Sequence, residues 1–300
     1  MAYMKTPRKF WDEARAYDIA TGFRFQEWWN IYNSACPPNV LFAALQDQMA
    51  DIGVEVIEKS AHRDAIGVAE SLMAFAATLL GWTPIVVAND QLVLTSTNAA
   101  DTAAGAGAQA VRVEYIDDQG AEQAVEVEMQ GMANAPLNVR VPLVPGCFAI
   151  NDMYVVRSGT PPVSNVGQIT LEDGTNARVY EAIQAGMGKA QTCRYHVPAG
   201  RRCFVFRVEL AADVEDVIYA LFADSEKHVA PALNQVIAKR EMFCALPESG
   251  KWEHIFTQPV MVPPSIPGVM PSAYQLQCLS LGGASEGTAS VFMAVLDDTV

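Results

Sequence analysis

From Ile85 onward apolar and polar residues alternate along the chain with a period of two. Leu92 and Leu94 alternate with Gln91, Val93 and Thr95; Val111, Val113 and Tyr115 alternate with Arg112 and Glu114; Val125, Val127 and Met129 alternate with Glu126 and Glu128. Successive side chains of a strand point to opposite faces, so each segment offers one face to a core and one to water. Asp117-Asp118-Gln119-Gly120, residues that tolerate left-handed backbone angles, lies between the last two and predicts a β-hairpin. Further strands are expected at Phe148–Val156, Val166–Leu171, Cys193–Val197, Cys203–Leu210 and Ser290–Leu296, separated by Gly, Pro, Asn and Asp. Half-apolar sheets bury their faces only against each other, so the spacing predicts an antiparallel β-sandwich or jelly-roll-like fold.

The first 88 residues carry a different spacing. Leu41, Ala44, Leu45 and Met49 fall on one helical face after Asn39, a capping residue type, which predicts a helix to about Asp51. A second helix is expected from about Ala61 to Leu80, presenting Ile66, Leu72, Met73, Ala76 and Leu80. Residues Ser71 to Ala88 carry no charge, but Gly81 and Pro84 interrupt them, so a helix followed by a short strand is expected there rather than a membrane span. Trp11, Tyr17, Phe23, Phe25, Trp28, Trp29 and Tyr32 crowd the start and have two readings, a local core or a cover for a partner chain. The opening MAYMKTPRKFWDE is basic but lacks the apolar stretch of a signal peptide.

The expected fold is therefore mainly β with a helix-containing N-terminal region. Residues 1–88 form a mixed, helix-rich region and residues 89–300 a β-sandwich region, with a division into two β units, 89–200 and 201–300, left open. Asp213 to Arg240 fits either a helix or a buried strand. Pro259, Pro263, Pro264, Pro267 and Pro271 predict an extended segment running over the surface or against a neighbouring subunit, because proline lacks a donor for a sheet ladder.

Composition narrows the function. With 34 acidic and 20 basic residues the net charge is −14, which argues against gripping a phosphate backbone and against anionic lipid. Six scattered cysteines, Cys36, Cys147, Cys193, Cys203, Cys244 and Cys278, include no CxxC pair, so neither a zinc site nor a redox motif can be written, and they read as buried thiols.

Candidate chemical motifs fail on context. Gly283-Ala284-Ser285-Glu286-Gly287 matches a nucleophile elbow, but a strand pattern follows it and the last histidine, His254, lies upstream. Gly186-Met187-Gly188-Lys189-Ala190 lacks both the first glycine and the hydroxyl residue of a phosphate loop, with Ile183 and Ala190 at those positions. Gly105-Ala106-Gly107 lacks the third glycine and following helix of a dinucleotide site. His62, His196, His228 and His254 are isolated, and Asp117-Asp118 and Glu172-Asp173 read as solvated hairpin turns. Arg201-Arg202 and Lys239-Arg240 are pairs that suit salt bridges or subunit contacts. No catalytic, cofactor-binding or metal-ligating residue is assigned.

The stretch Thr97–Val111, TNAADTAAGAGAQAV, resembles the DTAAGxGA-type element that leads into a β-hairpin in virion structural proteins of tailed bacteriophages. Asn165-Val166-Gly167-Gln168-Ile169 and Tyr195-His196-Val197-Pro198-Ala199-Gly200-Arg201 are similar to two further elements of that family. The likeness covers about residues 90–210. It implies a β-rich, non-enzymatic subunit located in the virion, whose partners are copies of itself and other virion proteins, with no nucleic acid, membrane or cofactor. A tail, collar or baseplate component is the first expectation and a capsid decoration or head-fibre protein the alternative. A β-sandwich module binding a host-surface glycan or receptor is the rival, and Trp252, the one tryptophan after residue 89, counts against it.

Overall fold

A computed structural model describes residues 54–66, 71–72, 92–137, 146–159, 164–173, 179–213, 215–224, 238–266, 272–282 and 285–297. Its strands are, in chain order, Val54–Ile66 (β1), Ser71–Leu72 (β2), Leu92–Ser96 (β3), Ala108–Asp117 (β4), Glu122–Glu128 (β5), Ala135–Pro136 (β6), Cys147–Ser158 (β7), Ile169–Asp173 (β8), Val179–Ile183 (β9) and Arg194–His196 (β10). There follow Arg201–Ala212 (β11), Val217–Asp224 (β12), Ala238–Leu246 (β13), Lys251–Val262 (β14), Ala273–Ser280 (β15) and Ser285–Asp297 (β16). All pairings between them are antiparallel.

Two sandwiches result. In the first, the sheet β6-β3-β8-β9 faces the sheet β5-β4-β7. Leu94, Val111, Val113, Met129, Met153, Ile169 and Leu171 fill the space between them. In the second, the sheet β1-β16-β11-β14 faces β10-β15-β12-β13, with β2 paired to β15. Val205, Val208, Tyr219, Leu221, Tyr274, Val291, Met293 and Val295 form that core. Burying each such aliphatic side chain stabilises by about 1.5–3 kcal/mol, which is what holds each pair of sheets face to face. The strands of the first sandwich, β3 to β9, fall between β2 and β10 of the second, so in sequence it is an insertion.

The β1 strand corrects the reading of residues 61–80. Where a helix is expected from Ala61, residues 61–66 continue a strand in which every residue from Val54 to Arg63 has a partner on β16. Ser71–Leu72 is also strand. Ala61-His62-Arg63-Asp64-Ala65 has weak strand propensity, and cross-strand pairing with β16 overrides it. The expected helix at 40–51, the aromatic cluster at 11–32 and the rest of the 61–80 helix lie outside the described residues.

Residues 217–224 and 238–246 are strands, which settles the ambiguous segment where it is described. Pro259 corrects the reading of the proline-rich stretch, since it sits inside β14. That strand is the edge of its sheet, and the register with β11 jumps from Val205–Val260 to Arg207–Ile255, leaving Pro259 in an unpaired bulge. An edge bulge needs no N–H from it.

Candidate functional site

Two of the three stretches that carry the family resemblance, Thr97–Val111 and Asn165–Ile169, converge on a loop junction at one end of the first sandwich. Asp101, fully buried, accepts four hydrogen bonds: from Ser96 Oγ (2.6 Å) and the Gly167 amide (2.8 Å) on Oδ2, and from the Ala108 (2.8 Å) and Val166 (2.9 Å) amides on Oδ1. Asn165 continues the network. Its Nδ2 donates to the Gly167 (2.6 Å) and Gln184 (2.7 Å) carbonyls, and its Oδ1 accepts the Gly188 amide (2.9 Å). The glycines of the motif are small by necessity. A Cβ on Gly107 would stand 2.1 Å from Asp101 Oδ1, and one on Gly105 2.0 Å from the Ala100 carbonyl oxygen.

The second concentration of polar residues is the seam between the sandwiches. Asn151 on β7 clasps the backbone of His196 on β10, donating to its carbonyl (2.9 Å) and accepting its amide (2.7 Å). Lys59 on β1 reaches Asp152 Oδ2 (2.6 Å) and the Asn151 carbonyl (2.8 Å), and Lys189 approaches the same carboxylate oxygen (3.1 Å). Arg194 meets Glu181 on β9 at 3.3 Å, while Thr192 Oγ1 (2.8 Å) and the Ala182 amide (3.0 Å) donate to its other oxygen. Burial pushes the Glu181 carboxyl above the usual carboxylate range, against the pull of Arg194. At the seam's far side Tyr195 donates to Glu122 (2.8 Å), and Arg201 spans Glu55 (3.1 Å), Glu122 (3.2 Å) and Asp297 (3.2 Å). Burial and the adjacent Glu122 carboxylate hold the Tyr195 phenol well above its usual range. These contacts leave a cleft of about 470 Å³ between β1 and β5, with Lys59 and Asp152 among the residues that line it.

The sequence candidates fall in separate places. The Ser285 hydroxyl, buried at the start of β16, donates to the Glu215 carbonyl (3.2 Å) and accepts the Glu215 amide (3.1 Å), and a strand rather than a helix follows it. Gly186 and Gly188 have positive φ in a turn whose Gly188 amide is already bonded to Asn165. His62 lies against Thr288 (3.1 Å) and Glu286 (3.4 Å), His196 sits in the seam, and His254 stacks on Trp252 at 5.2 Å. His228 and the side chains of Lys239 and Arg240 lie outside the described residues. Asp117 differs from the solvated-turn reading. It is buried, and its carboxylate accepts the Gln119 and Ala121 amides, both at 2.9 Å, so it builds the hairpin turn. Trp252 is half-buried against the second core.

Cys147, Cys193, Cys203 and Cys278 are buried thiols outside any disulfide and Cys244 is half-buried, while Cys36 lies outside the described residues. Burial raises the Cys193 and Cys203 thiols above their usual range, which makes them poor nucleophiles. Among the described residues no group of three His, Cys, Asp or Glu is placed to hold a metal ion, and no helix is long and apolar enough to cross a membrane.

Sequence reasoning passed over Lys59, Asn151, Asp152, Glu181 and Arg194. Their signal is polar residues inside otherwise apolar strands, as in Cys147-Phe148-Ala149-Ile150-Asn151-Asp152-Met153 and Val179-Tyr180-Glu181-Ala182-Ile183.

No family model matches the chain, and no curated protein matches it. Among solved structures it is similar to a chain of the cowpea mosaic virus top component, naturally occurring empty particles, at 8% identity over 71% of this chain and 81% of that one, TM-score 0.20. A chain of the infectious bursal disease virus Gx strain matches at 9% identity over 82% and 73%, TM-score 0.25. A bacterial lipoprotein from Bacteroides thetaiotaomicron matches at 10% identity over 79% and 99%, TM-score 0.16. Similarity at these scores carries no argument about descent or activity.

Proposed function

We propose that the chain is a non-enzymatic structural subunit of a tailed-phage virion, on the tail, collar or baseplate side, working through contacts with copies of itself and other virion proteins. One observation carries the reading. The elements that resemble the phage family, Thr97–Val111, Asn165–Ile169 and Tyr195–Arg201, use Asp101, Asn165 and the His196 backbone in buried and half-buried bonds that join loops and sandwiches to each other. Such bonds make a rigid building block, and rigidity is what a repeating subunit supplies to a symmetric assembly.

The test is peptide mass spectrometry and imaging of purified particles whose genome encodes the chain. Peptides at stoichiometric yield, with density for two stacked sandwiches on the tail, are expected. Density on the capsid surface would move the subunit to a decoration role. Absence from purified particles would remove the virion reading altogether.

A further inference from the structure

We propose that the cleft between β1 and β5 receives residues 1–11 of a neighbouring copy of this chain as an added strand. The inference rests on the assembly reading above and names its contact. Among the described residues both walls of the cleft are sheet edges, since β1 ends the order β1-β16-β11-β14 and β5 ends β5-β4-β7. An edge strand leaves alternate amides and carbonyls pointing away from its sheet, where a further strand can pair with them. Residues Glu55–Lys59 of one edge, apart from Val56, and Glu122–Ala124 of the other face the same opening, so one extended segment lying in it can reach both.

Charge selects the occupant. Glu55, Glu58, Glu114, Glu122 and Asp152 line the cleft against Lys59, Arg112 and Lys189, so its net charge is negative. Asp152 is held by Lys59, Glu114 by Arg112, and Glu55 and Glu122 by Arg201, which leaves Glu58 as the unmatched carboxylate. Glu58 is exposed and makes no ion pair among the described residues. Residues 1–11, MAYMKTPRKFW, hold Lys5, Arg8 and Lys9 and no acid, while the entire acidic surplus falls on the rest of the chain. A basic segment and a cleft of net negative charge on every copy attract each other between copies, and repeating one such heterologous contact builds a ring where the rotation closes and an open filament where it does not.

The test uses the full-length chain with a benzoylphenylalanine photo-crosslinker in place of Ala124, an exposed, uncharged lining residue, mixing equal amounts of unlabelled and ¹⁵N-labelled protein. Cross-links joining residue 124 to peptides from residues 1–11, in mixed-isotope pairs, are expected. Links confined to one isotopic form mean that each copy binds its own segment, and links to other segments or none at all mean a different occupant or an empty cleft; each overturns the proposal. A second arm reads self-association directly. Glu58→Lys should raise the dissociation constant roughly tenfold, and adding Lys5→Glu with Lys9→Glu should restore it. Unchanged association of the Glu58→Lys chain would also overturn the proposal. Particles that contain the chain while its cross-links map elsewhere would sink the docking and leave the virion reading standing.

Discussion

The carboxylate of Asp101 holds the amide of Gly167 at 2.8 Å across 66 residues of sequence. The same group binds Val166, Ala108 and Ser96, so one side chain ties the loop after β3 to the start of β4 and to the loop before β8. Each carboxylate oxygen accepts two donors. In Asp101→Asn, an amino group in place of Oδ1 meets the Ala108 and Val166 amides, and one in place of Oδ2 meets the Gly167 amide, so at least one backbone donor loses its acceptor either way. The variant should lose roughly 2–4 kcal/mol of unfolding free energy, the cost of a buried charge-assisted acceptor left unmade. Urea unfolding measures it, and a loss under about 0.5 kcal/mol would show that the junction is not a stabilising element.

The glycines of that junction should tolerate substitution according to the space around them. A Cβ on Gly167 would come within 2.6 Å of the Asn98 amide nitrogen and one on Gly107 within 2.1 Å of Asp101 Oδ1, while one on Gly146 meets nothing within 4 Å. Gly107→Ala and Gly167→Ala should each cost about 1–3 kcal/mol through forced displacement of their neighbours. Gly146→Ala should be neutral or stabilising by up to about 1 kcal/mol, because it restricts the unfolded chain without a clash. Thermal melts of the three variants order them directly.

Along the seam, the two lysines on Asp152 should differ in weight. The Lys59 side chain is 7% exposed and that of Lys189 44%. Removing Lys59 leaves a buried carboxylate with only a partly solvated partner, so Lys59→Ala should cost about 3 kcal/mol, whereas Lys189→Ala should cost no more than about 1 kcal/mol. Hydrogen exchange offers a second reading. Amides of residues 150–153 and 194–196 should lose protection together in Lys59→Ala and keep it in Lys189→Ala.

How far the chain declared itself depends on what kind of force acts at each position. The sequence pattern placed a hairpin around 111–129 and strands at 148–156, 203–210 and 290–296, each within or close to the observed 108–128, 147–158, 201–212 and 285–297, because the burial of alternate side chains is written locally. β1 was illegible for the opposite reason. Its inward positions are Ile57, Lys59 and Ala61, and a lysine facing a core reads as a break in the pattern until Asp152, 93 residues away, is known to receive it. The turn role of Asp117 was half legible, since its residue type suits a hairpin while its burial depends on the strands around it. The convergence of Asp101 with Asn165-Val166-Gly167 is a tertiary fact, and the sequence offered only the resemblance of both stretches to elements of one family.

Glu181 sets the expected response to pH. Its carboxyl is raised by burial, with Arg194, Thr192 and the Ala182 amide opposing the shift. Between the ordinary carboxylate value and the raised native one, the folded chain binds more protons at this site than the unfolded chain does. Unfolding free energy from this group is therefore full below about pH 4 and falls as pH climbs through the native value, by at most about 1.4 kcal/mol per pH unit. Glu181→Gln removes the titration while keeping a side chain that can accept from Thr192. Denaturant midpoints across pH 4 to 8 should show the parent chain losing ground to the Gln variant as pH rises. The reverse trend would mean that attraction to Arg194 outweighs desolvation and that the native carboxyl titrates below, not above, its ordinary value.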